Sequence, residues 1–186
     1  MMTLVFFLEG PSEKEMLHGL LPKLIPAGIN VRYLVFRGKQ DLEKNLVRRL
    51  RGWQLPDSAF MVMRDQDAGD CHQIKKKLVE YCRASGKTGW LVRIACREME
   101  SFFLGDLIAV EQGLGVNNLR GRQHSRIFRN PDVLANPAVE LKKLTDQRYN
   151  KLSGSRAIGP HLSIENNRSH SFNALIAGIR RLVEAI

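Results

Sequence analysis

The sequence has few cysteines and no long hydrophobic run. The first shortage argues against a disulfide-rich protein, and the second argues against a membrane-spanning one. Its 186 residues include only three cysteines, Cys71, Cys82 and Cys96. Because they are odd in number, widely spaced and without a CxxC pair, they predict neither a disulfide framework nor a zinc site, and they favour a reducing cytoplasm. We interpret all three as small apolar packing groups. No apolar run approaches the roughly 20 residues of a membrane helix, so no membrane partner is expected.

Acidic residues are also scarce relative to basic ones. The chain has 19 Asp and Glu against 29 Lys and Arg, which gives a formal net charge of +10. The excess is denser in residues 110–186, which carry 12 basic and 6 acidic side chains. A basic surface favours polyanions, nucleic acid first, although basic residues often do no more than solvate helix faces. The hydrophobic fraction of 44% is ordinary for a globular protein, and the length predicts one domain, or one domain with a subdomain.

Short apolar runs alternate with helical periodicity in the first part of the chain. The runs at residues 3–8, 31–36, 59–63 and 90–96 are predicted strands. Repeated strand–helix units with short loops predict a parallel sheet with right-handed crossovers. Ser12, Asp70 and Ser171 are candidate helix N-caps. Periodicity is lost over residues 116–135, which we interpret as a basic loop or lid, and helical patterns resume at 138–144, 156–162 and 171–186.

Acidic residues directly follow three of the predicted strands, in the order Glu9 and Glu13, Asp65 and Asp67, then Glu98 and Glu100. The carboxyl ends of parallel strands share one edge of a sheet, where open α/β sheets place their ligands. Carboxylates gathered there repel one another unless a divalent cation binds, and Mg²⁺ or Mn²⁺ prefers hard oxygen ligands. The pattern therefore predicts a metal-dependent enzyme of phosphate chemistry.

Several of these acidic residues also have simpler explanations. Glu13 falls in the first turn of a helix, where a carboxylate suits the helix dipole. Of the last pair, Glu100 is favoured for the site, whereas Glu98 is favoured for a salt bridge or a helix cap. Glu9 is harder to explain in this way, since a glutamate at the end of a buried strand is costly without a partner. A lone Asp-x-Asp is a weak motif, but Asp65 and Asp67 gain specificity from their position after a strand.

The order of the motifs resembles the TOPRIM domain, the metal-binding α/β module of topoisomerases, primases and OLD-family nucleases. Glu9-Gly10-x-Ser12-Glu13 followed by Asp65-x-Asp67 carries this resemblance. The segment 97–104 resembles the Arg-x-x-Glu-aromatic segment of OLD-like TOPRIM proteins. With the late Ser-His-Ser-Phe at 169–172, the whole order resembles a small stand-alone TOPRIM-like family of unknown function, whose members are often found beside ATPase partners in prokaryotic genomes.

This resemblance implies a TOPRIM-like α/β fold, a parallel sheet of about four strands flanked by helices with a C-terminal helical extension. Residues 1–115 would form the α/β domain, and residues 116–186 a basic loop and helical extension packed on it. The implied Mg²⁺ (or Mn²⁺) ligands are Glu9, Asp65 and Asp67, with Glu100 as a further ligand and Glu13 beside them. OLD-like nucleases also use a downstream lysine, for which Lys151 is the candidate. There it would stabilise charge developing on a cleaved phosphodiester.

Three functions compete on these grounds. The leading one is a Mg²⁺-dependent nuclease acting on DNA or RNA, within a prokaryotic defence or DNA-processing system that includes an ATPase partner. The second is a non-catalytic TOPRIM-like subunit that binds nucleic acid or an ATPase. The third is a phosphotransferase or phosphatase of the haloacid-dehalogenase type. It is ranked last because proteins of that type carry the Asp-x-Asp motif after the first strand, whereas in this chain the motif follows the third. Nucleic acid would be bound by Arg120, Arg122, Arg126, Arg129 and Arg168, since arginine suits phosphate.

Overall fold

A four-stranded parallel sheet forms the centre of the fold. The computed structural model describes residues 2–185. The strands are β1 (Thr3–Leu8), β2 (Asn30–Val35), β3 (Ser58–Asp65) and β4 (Trp90–Ala95). They lie in the order β2-β1-β3-β4, and every neighbouring pair is parallel. The parallel sheet flanked by helices that the sequence predicts is confirmed.

Helices cover both faces of this sheet. In chain order they are α1 (Pro11–Leu20), α2 (Lys39–Arg51), α3 (Cys71–Ala84), α4 (Glu100–Leu104), α5 (Leu107–Leu114), α6 (Pro137–Leu144), α7 (Lys151–Ile158) and α8 (His170–Glu184). Short 3-10 helices lie at Leu21–Lys23, Arg120–His124, Pro131–Val133 and Gly159–His161. None of the helices in residues 2–185 combines the length and the apolar character needed to cross a membrane.

The alternating side chains of β1 enter two separate cores. Leu4, Phe6 and Leu8 pack with residues of α1, α7 and α8 on one face, and Val5 and Phe7 pack with residues of α2 and α3 on the other. A strand buried on both faces favours apolar side chains at successive positions, which is why the run from Leu4 to Leu8 is apolar. The C-terminal helices α7 and α8 therefore share a core with the first strand of the chain.

The order of the strands creates a crevice at the carboxyl edge. From β1 the chain passes to β2 on one side, and it then returns to place β3 on the other side. The crossover helices on the two sides lie on opposite faces, so the carboxyl ends of β1 and β3 are left open between them. Open α/β sheets bind ligands at such a point. The residues that follow β1 and end β3 are consequently the first candidates for a site.

Three predicted N-caps can be compared with the observed helix starts. Helix α1 begins at Pro11, a residue type favoured in the first turn, so Ser12 is not its N-cap. Helix α8 is capped by Ser169 and not by Ser171. Asp70 caps α3 as predicted, because its side chain accepts a hydrogen bond from a first-turn backbone N–H.

Two helices differ from the predicted pattern. The helix expected after β4 is divided into α4 and α5. The first piece ends at Leu104, and Asp106 caps the second by accepting a hydrogen bond from the N–H of Ala109 at 3.1 Å. Helix α7 begins at Lys151 and not near residue 156. Asn150 caps it, and its side chain accepts hydrogen bonds from the backbone N–H groups of Leu152 and Ser153. The early start of α7 matters because it determines where Lys151 lies.

Helix α1 and the segment after α7 pack so closely that glycine is needed between them. A Cβ built on Gly159 would lie 2.6 Å from the backbone oxygen of Met16, and one on Gly19 would lie 2.5 Å from the ring of Pro160. Real Cβ atoms do not approach a backbone oxygen so closely, so one backbone would have to move. This contact holds the C-terminal end of α7 close to α1.

Gly159→Ala is expected to lower the free energy of unfolding by about 1–3 kcal/mol, because the added methyl group overpacks a backbone contact. The matched control is Gly121→Ala, since a Cβ there would meet nothing within 4 Å. Urea unfolding of both variants and the wild type measures the difference. Equal urea midpoints for the two variants would show that the contact between Gly159 and α1 is not close.

Candidate active site

Glu9 and Asp65 meet at the crevice between β1 and β3. Glu9 directly follows β1, and its Oε2 accepts a hydrogen bond from the backbone N–H of Asp65 at 3.2 Å. Asp65 is the last residue of β3 and is buried. Its Oδ1 accepts a hydrogen bond from the N–H of Met99 at 2.9 Å, and its Oδ2 lies 3.6 Å from Nζ of Lys151. The carboxylate of Asp65 thus connects β3 with the segment before α4 and with the start of α7.

Glu100 brings a second buried carboxylate to the same place. It is the first residue of α4 and is fully buried. Its Oε1 accepts a hydrogen bond from the hydroxyl of Tyr149 at 2.9 Å and lies 3.9 Å from Nζ of Lys151. Its Oε2 is buried and has no hydrogen-bond partner within residues 2–185. A buried carboxylate oxygen without a partner is costly, so this atom indicates room for a further donor or cation.

Lys151 is held where the helix dipole disfavours it. It is the first residue of α7, and a cation at a helix N-terminus is opposed by the macrodipole. Burial by itself would lower the pKa of Lys151, but the charges of Glu100, Asp65 and Glu13 together outweigh that effect and hold its pKa above the ordinary value. The ammonium group is therefore charged, and the carboxylates account for its position.

Glu13 lies against the same cluster from α1. It is buried, and its Oε2 accepts a hydrogen bond from the hydroxyl of Ser12 at 3.1 Å. A Cβ at Gly10 would lie 3.3 Å from that oxygen. Gly10 has an extended backbone with φ of −153°, which any residue adopts. Glycine therefore suits this position because space is limited, and not because of an unusual dihedral angle.

The carboxylates are close enough to disturb one another. Burial is the largest cause that raises the pKa of Glu9, Glu13 and Asp65. The neighbouring charges of Glu13, Glu100 and Glu9 add to it at Asp65, whose pKa is raised well above the ordinary value. Lys151 opposes these effects but does not cancel them. The cluster is consequently strained by like charge in the absence of a further cation.

Asp67 lies at the margin of the cluster and is bound by a second lysine. Its charge raises the pKa of Glu9, although less than burial does. Its Oδ2 forms an ion pair with Nζ of Lys39 at 2.7 Å. Its φ of 55° is in the left-handed region, which aspartate tolerates better than most residues. Lys39 begins α2, so both lysines of the site stand at helix N-termini.

Sequence reasoning missed two residues of this site. Lys39 follows β2 at the same carboxyl edge, so the rule that selected the acidic residues would have found it if it had been applied to basic ones. Tyr149 precedes α7 and donates to Glu100, and no local pattern indicates that contact. Glu98 lies outside the cluster, where its Oε2 accepts a hydrogen bond from the N–H of Ala138 at 2.9 Å at the start of α6. This contact fits the helix-cap role expected for Glu98.

The donor chemistry of the cluster suits Mg²⁺ or Mn²⁺, but the side chains do not form a ready metal cage. The structure brings together Glu9, Glu13, Asp65, Glu100 and Lys151, with Asp67 beside them. Within residues 2–185, no three side chains of His, Cys, Asp or Glu are arranged so that they could share a metal ion. The hard carboxylate oxygens and the partnerless Oε2 of Glu100 fit a divalent cation. Metal binding by these residues therefore stays a prediction.

The arginines predicted to bind nucleic acid are all exposed, and they are Arg120, Arg122, Arg126, Arg129 and Arg168. The segment that carries the first four is partly ordered as the 3-10 helix Arg120–His124. Arg120 and Arg168 line one groove of about 510 Å³ together with Gly105, at the C-terminal end of α4. Since α4 begins at Glu100, the backbones of Glu100 and Gly105 are about 7 Å apart along the helix axis.

A larger cavity of about 600 Å³ lies far from these groups. Its lining includes Lys87, Trp90 and Arg181. Trp90 is the first residue of β4, so the cavity lies at the amino end of the sheet, opposite the carboxylates. Cavity size therefore does not identify the candidate active site in this protein. The clustered carboxylates and Lys151 identify it at the carboxyl edge of the sheet.

Comparisons with known proteins agree with this fold. A family model described as "Domain of unknown function (DUF4276)" matches residues 8–180. No curated protein matches the chain. Among solved structures, the C-terminal region of the Burkholderia pseudomallei OLD protein is similar with a TM-score of 0.55 and 16% identity, over 97% of this chain and 98% of that chain. At this level of identity, the similarity shows a shared fold.

Asp65→Asn is expected to stabilise the protein at neutral pH when no divalent cation is present. The folded state raises the pKa of Asp65, so protonation of this side chain favours folding. That contribution to stability is complete below the unfolded pKa and is lost as the pH rises through the folded pKa. The variant should therefore unfold at a higher urea concentration than the wild type at about pH 7.5, and this gain should vanish near pH 3.5.

The control for this measurement is Asp67→Asn, whose carboxylate is partly exposed and paired with Lys39. Loss of such a pair changes stability little, and it should not raise the urea midpoint at neutral pH. A wild-type midpoint higher than that of Asp65→Asn at neutral pH would contradict the account of charge strain.

Proposed function

The chain belongs to the DUF4276 family, and since that family is described as a domain of unknown function, we propose a function from the site: Mg²⁺- or Mn²⁺-dependent hydrolysis of phosphodiester bonds in DNA or RNA. The observation that carries the proposal is the ammonium group of Lys151, 3.6 Å and 3.9 Å from the buried carboxylates of Asp65 and Glu100. The shared fold with the OLD C-terminal region and the TOPRIM-like motif order support it.

The carboxylates are the residues that would hold the cation. Glu9, Asp65, Asp67 and Glu100 are the proposed ligands, and Glu13 lies beside them. A divalent cation bound there would lower the pKa of a bound water and neutralise charge on the phosphate. The proposal is supported by the raised pKa values of Glu9 and Asp65 and by the partnerless oxygen of Glu100, since each of these groups gains from added positive charge.

Lys151 is the proposed group that contacts the phosphate. Its side chain is 51% exposed, although its carboxylate partners are buried, so it lies between the cluster and the solvent from which a substrate arrives. A fixed positive charge beside the scissile group stabilises the negative charge that develops in the transition state. Lys39 has a parallel position beside Asp67 and would orient that carboxylate.

The substrate class follows from the charge of the surface. The net charge of +10 and the five exposed arginines favour a polyanion. The groove lined by Arg120 and Arg168 would hold a backbone phosphate a short distance from the cleaved bond. Arginine suits this task because its planar fork donates two hydrogen bonds to one phosphate.

A second candidate function is supported by a different observation. Within the described part of the chain, no three acidic side chains are arranged to share a metal, and Lys151 already offsets part of their charge. A non-catalytic subunit that binds nucleic acid would not need a carboxylate cluster arranged to hold a metal ion. For either function, an ATPase partner is proposed on the motif order alone.

The catalytic proposal is tested by incubating the purified protein with plasmid, single-stranded DNA and RNA in Mg²⁺, Mn²⁺ or EDTA. We expect cleavage of one polymer that EDTA stops. Asp65→Asn, Asp67→Asn and Lys151→Ala should each lower the rate on the order of 100-fold or more. Lys143→Ala is the matched control, because this exposed lysine pairs with Glu140 on α6. Binding without cleavage in every condition would favour the second function, and cleavage that resists EDTA would contradict a metal-dependent reaction.

The arginine groove is tested by measuring nucleic-acid affinity against salt concentration. Arg120→Ala together with Arg168→Ala should weaken binding, and the slope of log affinity against log salt should fall by about two, since each lost phosphate contact releases about one fewer counterion. Arg83→Ala, at the opposite end of the sheet, is the control and should leave the slope unchanged. An unchanged slope in the double variant would show that the groove does not bind the backbone.

A further inference from the structure

Two thiols face one another near the carboxyl edge of the sheet and have no role in the proposed reaction. Sγ of Cys71 lies 3.7 Å from Sγ of Cys96, and both thiols are free and partly exposed. Cys82, by contrast, is buried in the core under α2 and α3. It is the apolar packing group that all three cysteines were expected to be. Cys71 and Cys96 are in addition partners of each other.

We propose that Cys71 and Cys96 are a redox modification site, at which a peroxide joins the two thiols in a reversible intramolecular disulfide. The disulfide would connect the loop that holds Asp67 to the segment that leads to Glu100. This inference does not rest on the proposed nuclease activity, because it would hold equally for a subunit that only binds. It concerns the cysteines and the two segments that carry them.

The backbone around the two thiols is already held in place. Cys71 is the first residue of α3, and Cys96 directly follows β4. The loops beside them are joined by two backbone hydrogen bonds, from the N–H of Gln66 to Ala95 O at 2.9 Å and from the N–H of Asp67 to Arg97 O at 2.8 Å. The sulfur atoms need to approach by about 1.7 Å to reach bonding distance.

The chemistry assigns a different task to each thiol. One of the two thiols attacks the peroxide and becomes a sulfenic acid as the first water leaves. The second thiol is within reach of this sulfur, since the two sulfur atoms lie 3.7 Å apart. Its sulfur then attacks the sulfenic sulfur, the S–S bond forms and a second water leaves.

The electron balance of this step is complete. The two thiols give up two electrons and two protons, and one hydrogen peroxide is reduced to two waters. A dithiol reverses the reaction by thiol–disulfide exchange. The crosslink closes a loop of about 25 residues, so it restricts the unfolded chain and should raise the thermal midpoint of the oxidised protein by several degrees.

The experiment uses the reduced full chain treated with hydrogen peroxide, then alkylated under denaturing conditions and analysed by intact mass and peptide mapping. We expect the loss of two hydrogens, a linked pair of peptides containing Cys71 and Cys96, and alkylation at Cys82 alone. Dithiothreitol should restore all three alkylation sites. Cys82→Ser should keep the crosslink and the rise in thermal midpoint, whereas Cys71→Ser and Cys96→Ser should lose both.

Three outcomes would overturn the proposal. They are oxidation of Cys71 to a sulfinic acid while Cys96 stays free to alkylate, a disulfide between two chains on a non-reducing gel, and a crosslink that includes Cys82. Peptide mapping of the wild type separates these outcomes from the expected one, so the result does not depend on whether a variant folds. An oxidised wild type with no rise in thermal midpoint would overturn the claim that the crosslink holds the two segments together.

Discussion

Repulsion among carboxylates at one edge of the sheet is the constraint on which the rest of the site depends. Burial and the charges of neighbouring carboxylates raise the pKa of Asp65. Burial is also the largest cause that raises the pKa of Glu9 and of Glu13. The protein offsets part of this with Lys151, which it holds at a helix N-terminus against the dipole. The offset is incomplete, since one oxygen of Glu100 has no partner within residues 2–185. An arrangement of this kind favours whatever ligand brings positive charge.

The fold supplies this arrangement through contacts between distant parts of the chain. Strands β1 and β3 are neighbours in the sheet, so Glu9 and Asp65 meet at the carboxyl edge. At this point the strand order changes from one side of β1 to the other. Gly159 brings the C-terminal end of α7 close to α1, and the first residue of the same helix is Lys151. The site is therefore built jointly by the first strands and by a C-terminal helix that shares their core.

The strands and the acidic edge were predictable from the sequence because they follow local rules. Apolar runs of strand length, each ended by a carboxylate, suffice to place Asp65 and Glu100 at the same edge of a parallel sheet. Lys151 came only from a family resemblance, since its approach to Asp65 and Glu100 is a contact between distant parts of the chain. The hydrogen bond from Tyr149 and the approach of Cys71 to Cys96 join residues that are 49 and 25 positions apart. Such tertiary contacts have no local signal.

Thermal unfolding with and without Mg²⁺ tests the central claim most directly, because it needs no substrate. A ligand that binds the folded state raises the melting temperature, so Mg²⁺ should stabilise the wild type. It should stabilise Asp65→Asn and Asp67→Asn less, since each variant lacks a proposed ligand. The account predicts this order in a titration of Mg²⁺ at constant ionic strength. An equal response of all three proteins would contradict the claim that the carboxylate cluster is a metal site.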